Sequence, residues 1–354
     1  MATKMNITKI LEGVLAKGAS DLHISVGAAP HARINGALAA VPGSDILTLD
    51  DVEHALDQLL DEQQREIFEV NKELDFSAAL SKQARVRVNV FSQKGYPSIS
   101  LRIIPLGVPK LEDLNLPETL IHLCDIKQGL VLVVGPTGHG KSTTVAAMLE
   151  RINETRSEHI ITVEDPIEYI FTNNKSLIEQ REMYLDTHSW DVSLKSVFRQ
   201  DPNIVFIGEM RDLDTISAAL EISETGHLVF ATLHTNSAAQ TIERIISAFP
   251  QERNTEVGTQ LSFTLEVVIS QRLVPGKDGN LYPAVEIMLG SEAVKNLIRE
   301  GKSHLIDNVI STSGKVGMQS IEKGLADLVR SGKVDEEQAM KFTTNPEGLR
   351  RLLK

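Results

Sequence analysis

A single cysteine, Cys124, stands in the whole 354-residue chain. One thiol can neither close an internal disulfide nor build a cysteine-based zinc site, and it fits a reducing cytoplasm. Aromatic residues are scarce too, at 4%, and 36 Lys and Arg face 48 Asp and Glu, giving a net charge of −12. A groove for single-stranded nucleic acid interleaves aromatics with bases, so this balance argues against a nucleic-acid translocase. No apolar run approaches the roughly 18 residues of a membrane span. Lysines interrupt the short apolar stretches of "MATKMNITKILEGVLAKG", which excludes a secretory signal. Direct membrane insertion is therefore not expected, and any membrane role would pass through a partner. No internal repeat or low-complexity tract is visible.

The 42% of hydrophobic residues is ordinary for a chain with real cores, and the length predicts two domains. The first hundred residues mix helices with alternating strands. "NITKILEGVLAKG" reads as an amphipathic helix closed by Gly18, and "DDVEHALDQLLDEQQREIFEV" as a helix with an acidic first turn. In "ARVRVNVFSQKGYPSISLRIIP", Arg85, Arg87 and Asn89 alternate with Val86, Val88 and Val90, and a Gly-Tyr-Pro turn leads into the second strand of a hairpin. Residues 105–117 hold three prolines and no periodicity, which predicts an interdomain linker. Beyond it, strand candidates at 129–134, 159–165, 203–210, 227–234 and 266–274 alternate with helical patterns at 141–154, 190–199, 212–224 and 237–247. Such alternation implies a mainly parallel sheet with helices on both faces. From about residue 290 only helices are expected. The predicted division is thus 1–104, a linker at 105–117, a core at 118–290 and a helical segment at 291–354.

The strongest local signal is "VVGPTGHGKSTT", residues 133–144. Gly135, Gly140, Lys141 and Ser142 satisfy the G-x-x-x-x-G-K-[ST] pattern. Glycines let successive backbone N–H groups turn inward around phosphate oxygens. Lys141 would meet the β- and γ-phosphates, and Ser142 would offer its hydroxyl to Mg²⁺. A Val-rich strand candidate precedes the loop and a helical pattern follows it, which is the arrangement a phosphate loop requires. The expected nucleotide-binding set is Gly135, Pro136, Thr137, Gly138, His139, Gly140, Lys141, Ser142 and Thr143, with ATP and Mg²⁺ as ligands.

Four predicted strands end on polar groups: the phosphate loop itself, Glu164-Asp165, Glu209 and His234. Ligands of open parallel sheets bind at that edge. Hydrolysis of a γ-phosphate needs a positioned water, a metal and positive charge; Glu164 and Glu209 are candidates for the first two tasks. His227 and His234, seven residues apart, would point to opposite faces of one strand, and for each a structural hydrogen bond is an alternative to catalysis. Arg85, Arg87 and Arg102 sit on a hairpin's polar face, where solvation is the usual fate of an arginine. An arginine arriving from a neighbouring domain would instead couple closure to nucleotide state.

"GPTGHGKSTT", "ITVEDPIEYI", "DPNIVFIGEMRD" and "GHLVFATLHTNSA" resemble, in order and spacing, the Walker A, Asp, Walker B and His boxes of the secretion ATPases that drive type II secretion and type IV pili. "SDLHISVGAAPHARING", "RVRVNVF" and "VKNLIREGKSH" further resemble the twitching-motility retraction ATPases, the PilT family. The resemblance implies an α/β fold: a RecA-like P-loop ATPase core with a smaller α+β PAS-like N-terminal domain and a C-terminal helical layer. It implies a homohexamer acting on an inner-membrane pilus platform protein, with other pilus ATPases as further partners. It would be cytoplasmic, peripheral at the inner face of the membrane through its partner. By motif position Glu164 would activate water, and Glu209 would hold Mg²⁺ directly or through water. His227 and His234 would lie near the γ-phosphate or a domain interface. Arg87 and Arg102, with Arg85 as a third candidate, would close on the phosphates, and "NLIRE" (296–300) would serve retraction. His139 departs from the pattern, since a small residue is usual there, and Asn203 stands where an acid is usual. Gly208 replaces the Asp that most P-loop proteins place before the Walker B acid, which is normal for this family. The alternatives are a pilus-assembly or type II secretion ATPase, which generally adds a longer N-terminal region and often a four-cysteine zinc motif. A retraction-accessory paralogue and a nucleotide-gated scaffold without turnover stay open as well.

Overall fold

Ile7, Leu11 and Val14 fall on one stripe of a helical wheel, and the helix that results, α1 (Ile7–Leu15), buries all three. Asn6 caps it, its side-chain oxygen accepting the Lys9 N–H at 2.9 Å. The computed structural model describes residues 5–34, 36–81, 84–104 and 107–354. Its chain divides into two units, one reaching to Gly107 together with Glu168–Ile170, the other comprising Val108–Ile167 and Phe171–Lys354. Pro105 and Leu106, the start of the expected linker, lie outside the described residues.

In the first unit, strands β1 (Ala19–Ser25), β2 (His31–Ile34), β3 (Ala37–Ala40), β4 (Glu73–Ser81), β5 (Ala84–Gln93) and β6 (Tyr96–Ile104) form one antiparallel sheet in the order β3-β2-β1-β6-β5-β4. Val86, Val88 and Val90 are fully buried in the core that α1 and a second helix, α2 (Leu49–Leu59), help to build. The alternation of β5 therefore sorts its residues as the period-2 pattern predicts. Two details differ from the sequence reading. The single long helix is two, because Leu60 is extended and Asp61 opens α3 (Glu62–Asn71) with a capping box: the Gln64 N–H donates to Asp61 at 2.8 Å and the Asp61 N–H to the Gln64 side chain at 3.1 Å. The hairpin turns at Lys94-Gly95, both with positive φ, so Tyr96 and Pro97 already belong to β6. A two-residue turn of that hand matches strand twist better than a Gly-Tyr-Pro turn.

After a short helix, α4 (Thr119–Leu123), the second unit builds a seven-stranded sheet from β7 (Gly129–Val134), β8 (His159–Glu164), β9 (Leu177–Glu182), β10 (Ile204–Ile207), β11 (Leu228–Leu233), β12 (Leu265–Pro275) and β13 (Leu281–Leu289). Their order is β13-β12-β7-β11-β10-β8-β9, parallel throughout except for the β12–β13 hairpin. The central strands β7 and β11 are buried at every position, as strands covered on both faces must be. The helices α5 (Lys141–Thr155), α6 (Trp190–Val197), α7 (Leu213–Glu224), α8 (Ala238–Ser247) and α9 (Asn254–Thr264) follow in chain order. Beyond β13 come α10 (Glu292–Arg299), α11 (Ile306–Thr312), α12 (Ile321–Arg330), α13 (Glu336–Phe342) and α14 (Pro346–Leu353). Val294, Ile298, Ile306 and Ile310 join the main sheet core, whereas α12, α13 and α14 pack with Val274 and Ala284 in a separate cluster against the β12–β13 hairpin. The fold is the expected α/β architecture, with helices alone after residue 290.

Candidate nucleotide-binding site

Strand β7 ends at Val134, beside Leu233 of β11 and Ser270 of β12. The chain then curls through Gly135, Gly138 and Gly140, all at positive φ, into α5. Gly140 is the N-cap of α5 and no side chain caps that end, unlike α7 and α8, whose first N–H groups are taken by Asp212 and Ser237. That end of α5 is the positive end of its dipole, where an anion is favoured. Ser142 and Thr143 lie in this first turn, and Lys141, at 7% exposure, folds back over the loop. The Lys141 ammonium donates to the carbonyls of Gly135 at 2.8 Å and Pro136 at 3.0 Å.

His234, directly after β11, connects the loop to the next strand. Its Nδ1 stands 3.2 Å from Lys141 Nζ and 3.3 Å from the Thr137 hydroxyl, and its Nε2 is 2.9 Å from Glu209. An ammonium can only donate, so Nδ1 is the acceptor and Nε2 carries the proton toward the carboxylate. Glu209 also accepts from Arg211 Nε at 2.7 Å, and that hydrogen bond raises the guanidinium's pKa further. Gly208 before it answers the missing Asp: its N–H donates to Val163, and a Cβ there would stand 3.2 Å from Glu164 Cα. The neighbouring strand β8 carries Glu164, buried at 6% exposure, whose carboxylate accepts from Thr162 Oγ1 at 2.7 Å and Gln180 Nε2 at 3.3 Å. The described geometry thus links Lys141, His234 and Glu209 at one sheet edge and ends β8 on Glu164 at the same edge.

His227 is not there. It precedes β11 while His234 follows it, so the two occupy opposite ends of the strand, roughly 20 Å apart at about 3.3 Å per residue. Its Nδ1 lies 2.8 Å from Thr225 Oγ1 and 3.1 Å from the Ile222 carbonyl, and its ring meets Phe198 edge-on. The sequence placed it near the γ-phosphate or a domain interface; β11 is six residues long, so the histidines bracket the strand rather than share it, and His227 lies at the end away from the phosphate loop. Arg85, Arg87 and Arg102 belong to the first unit. Arg87 and Arg102 are directly paired across β5 and β6, and each meets an acid of its own unit, Asp75 at 3.8 Å and the largely buried Asp21 at 3.1 Å.

Gln271 escaped the sequence reading. Buried in β12 at 2% exposure, it donates from Nε2 to the His139 carbonyl at 2.8 Å and accepts the Thr144 hydroxyl at 2.8 Å. Its amide stands between Ser270 and Arg272 in β12, a short polar run that periodicity does not distinguish from a solvated strand end. His139 does not crowd the loop from outside; its Nδ1 accepts the Leu273 N–H at 2.9 Å. Burial, with Lys141 and Arg272 nearby, holds its pKa below the usual 6.5.

A family model described as "Type II/IV secretion system protein" matches residues 2–300. The chain is 42% identical over 348 residues to the type IV pilus retraction ATPase PilT of Pseudomonas aeruginosa, covering 97% of this chain and 99% of that one. To the type IV pilus ATPase PilU of the same organism it is 38% identical over 351 residues, covering 99% and 92%. Among solved structures, that of the pilus retraction motor PilT with bound ADP superposes with a TM-score of 0.92 at 40% identity, over 98% of this chain and 99% of the other. The resemblance carried by the four boxes therefore extends over nearly the full length, and the RecA-like core with its PAS-like N-terminal domain and helical C-terminal layer is shared. The chain belongs to the type II/IV secretion system protein family.

Proposed function

We propose that this chain is an ATP-hydrolysing motor that powers type IV pilus retraction, working as a homohexameric ring on an inner-membrane platform protein. The observation that carries the reading is the chain of contacts from Lys141 through His234 to Glu209, which links the phosphate loop to the acid two residues past β10. A phosphate arriving there would offer its oxygens to the Lys141 ammonium in place of His234, while Glu209, an acceptor only, would turn to the metal. ATP is the expected substrate; Ser142 and Glu209 would hold Mg²⁺, which supplies charge neutralisation to the β- and γ-phosphates. Glu164, buried and oriented by Thr162 and Gln180, would take the proton of the attacking water. Arg85, Arg87 and Arg102 would bring positive charge from the amino-terminal domain, so that closure and hydrolysis are coupled. The proposed boundaries are 1–104, 105–117, 118–290 and 291–354. "NLIRE", which lies in α10 and the residue after it, would serve the retraction step.

Phosphate release by the purified protein tests this. Wild type should hydrolyse ATP with Mg²⁺. Lys141→Ala should lose nucleotide binding, and Glu164→Gln should bind nucleotide yet release phosphate about a hundredfold or more slowly, the range for a lost general base. Glu164→Gln with wild-type turnover would remove Glu164 from that role. Wild-type binding by Lys141→Ala would dismantle the site.

A further inference from the structure

Beyond Val134 the strand β7 has ended, yet β12 runs on past Ser270, its partner there, to Pro275. Among the described residues this overhang has no strand beside it on that side. The phosphate loop takes the place. Gln271 sends its amide N–H to the His139 carbonyl, and the Leu273 N–H goes to the His139 ring, so side chain and main chain of one loop residue are each held by the overhang. Thr144, in the first turn of α5, donates its hydroxyl to the same Gln271 side chain. The His139 carbonyl can only accept, so it fixes the amide nitrogen toward the loop and leaves the oxygen to take the Thr144 hydroxyl. The approach is close along its length. A Cβ on Gly135 would stand 2.3 Å from the Gln271 carbonyl oxygen, and one on Gly140 would stand 2.8 Å from Gln271 Nε2. Gly138, by contrast, has open space where a Cβ would go. Two of the loop's three glycines are thus demanded by β12 as well as by a phosphate.

We propose that Gln271 and the His139 side chain are positioning residues that clasp the phosphate loop onto the β12 overhang and hold its backbone N–H groups in their receiving curl before nucleotide arrives. The proposal rests on the nucleotide-site reading given above. It gives a purpose to a bulky residue in a position where the family pattern has a small one. The same overhang reaches elsewhere: the Ser270 hydroxyl and Arg272 both donate to the Asn236 carbonyl in the loop after His234, and Arg272 also donates to the Phe342 carbonyl at the end of α13. Alternate residues of one strand therefore hold the phosphate loop and the His234 loop. Loss of the clasp lets the loop sample curls that do not accept phosphate, and apparent affinity falls by the fraction still competent.

Equilibrium titration with a fluorescent ADP analogue separates the possibilities. The proteins are the full chain and its Lys141→Ala, His139→Ala, His139→Asn, Gln271→Leu and Thr144→Val variants, each also melted without nucleotide. His139→Ala and Gln271→Leu should each weaken ADP about fivefold, the scale of one net hydrogen bond. His139→Asn, whose Oδ1 can take the Leu273 N–H, should recover to within about twofold of wild type by the same reckoning. Thr144→Val should weaken ADP in wild type and add little in the Gln271→Leu background, since both act through one amide. Wild-type affinity in both His139→Ala and Gln271→Leu, with binding lost in Lys141→Ala, would overturn the clasp and leave the site intact. So would weakened binding that His139→Asn does not rescue and that merely follows a lowered melting point. If Lys141→Ala binds as wild type, the nucleotide site itself is wrong and the clasp falls with it.

Discussion

At the scale of single residues, His234 bridges the phosphate loop and the end of β10, bonded to Lys141 on one side and Glu209 on the other. Removing it leaves Lys141 on the Gly135 and Pro136 carbonyls and Glu209 on Arg211, and at 43% exposure the side chain is not part of the core. His234→Ala should therefore lower phosphate release while leaving the thermal midpoint nearly unchanged; a large fall in midpoint with normal turnover would make the residue structural. His139 is a different histidine. Its ring is an acceptor for the Leu273 N–H, and its pKa lies below the usual 6.5 because burial disfavours the charged form and Lys141 and Arg272 repel it. The fold thus favours the neutral ring. The stability it contributes is complete above about pH 6.5 and is lost as pH falls through the lowered value. Without nucleotide, the midpoint of wild type should fall relative to His139→Asn between pH 7 and pH 5, and an unchanging difference would count against the bond. Glu164, Glu209 and His234 were legible in the sequence because each closes a short apolar run. Gln271 was not, because its meaning comes from β12 passing beside a loop more than a hundred residues earlier.

At the scale of elements, the start of α8 depends on a buried acid. Glu286 of β13, at 6% exposure, accepts the Ala238 N–H at 2.8 Å, and burial pushes its pKa up to about 7 with Asp307 and Glu322 adding repulsion. The Ala238 bond and Arg272 pull the other way and do not win. A carboxyl whose folded pKa is raised binds its proton more tightly in the fold than in the open chain. Stability is therefore highest at low pH for this group and declines as pH rises from about 4.5 to about 7. Glu286→Gln keeps an acceptor for Ala238 and removes the charge, so it should raise stability at pH 8, by a few kcal/mol at most, and lose that advantage near pH 4. Thermal melts at the two pH values check the sign, and equal shifts at both would contradict it. The parallel strands could be read because buried runs such as "GLVLVV" and "LVFATL" are unmixed. β9 could not, because "LIEQRE" is a polar edge strand with no clean apolar face. β13 also escaped, as Pro283 interrupts it; the antiparallel partner Leu273 tolerates the missing N–H at the sheet's edge. The division of α2 from α3 was written in the Asp61…Gln64 capping box, which periodicity alone overran.

At the scale of the whole molecule, the chain assembles a nucleotide site on one unit and an arginine-bearing sheet face on the other. Arg87 and Arg102 sit opposite each other on β5 and β6, and their partners, Asp75 and Asp21, are contributed by the same sheet. On the proposed reading these arginines answer to phosphate as the units close, so Arg87→Ala should reduce phosphate release in the assembled protein without changing ADP affinity; unchanged turnover would leave Arg87 a surface residue. The two-part organisation and the α/β core followed from the composition and the alternating pattern, and the four boxes carried the family. Motor direction came from the resemblance alone, since a phosphate loop and two acids serve assembly and disassembly alike. The most direct test is therefore made in the host, by deleting the gene, counting surface pili and following labelled filaments. The account predicts abundant pili that no longer shorten, with Glu164→Gln reproducing that state. Bald cells would mean that the motor drives assembly, and would contradict it.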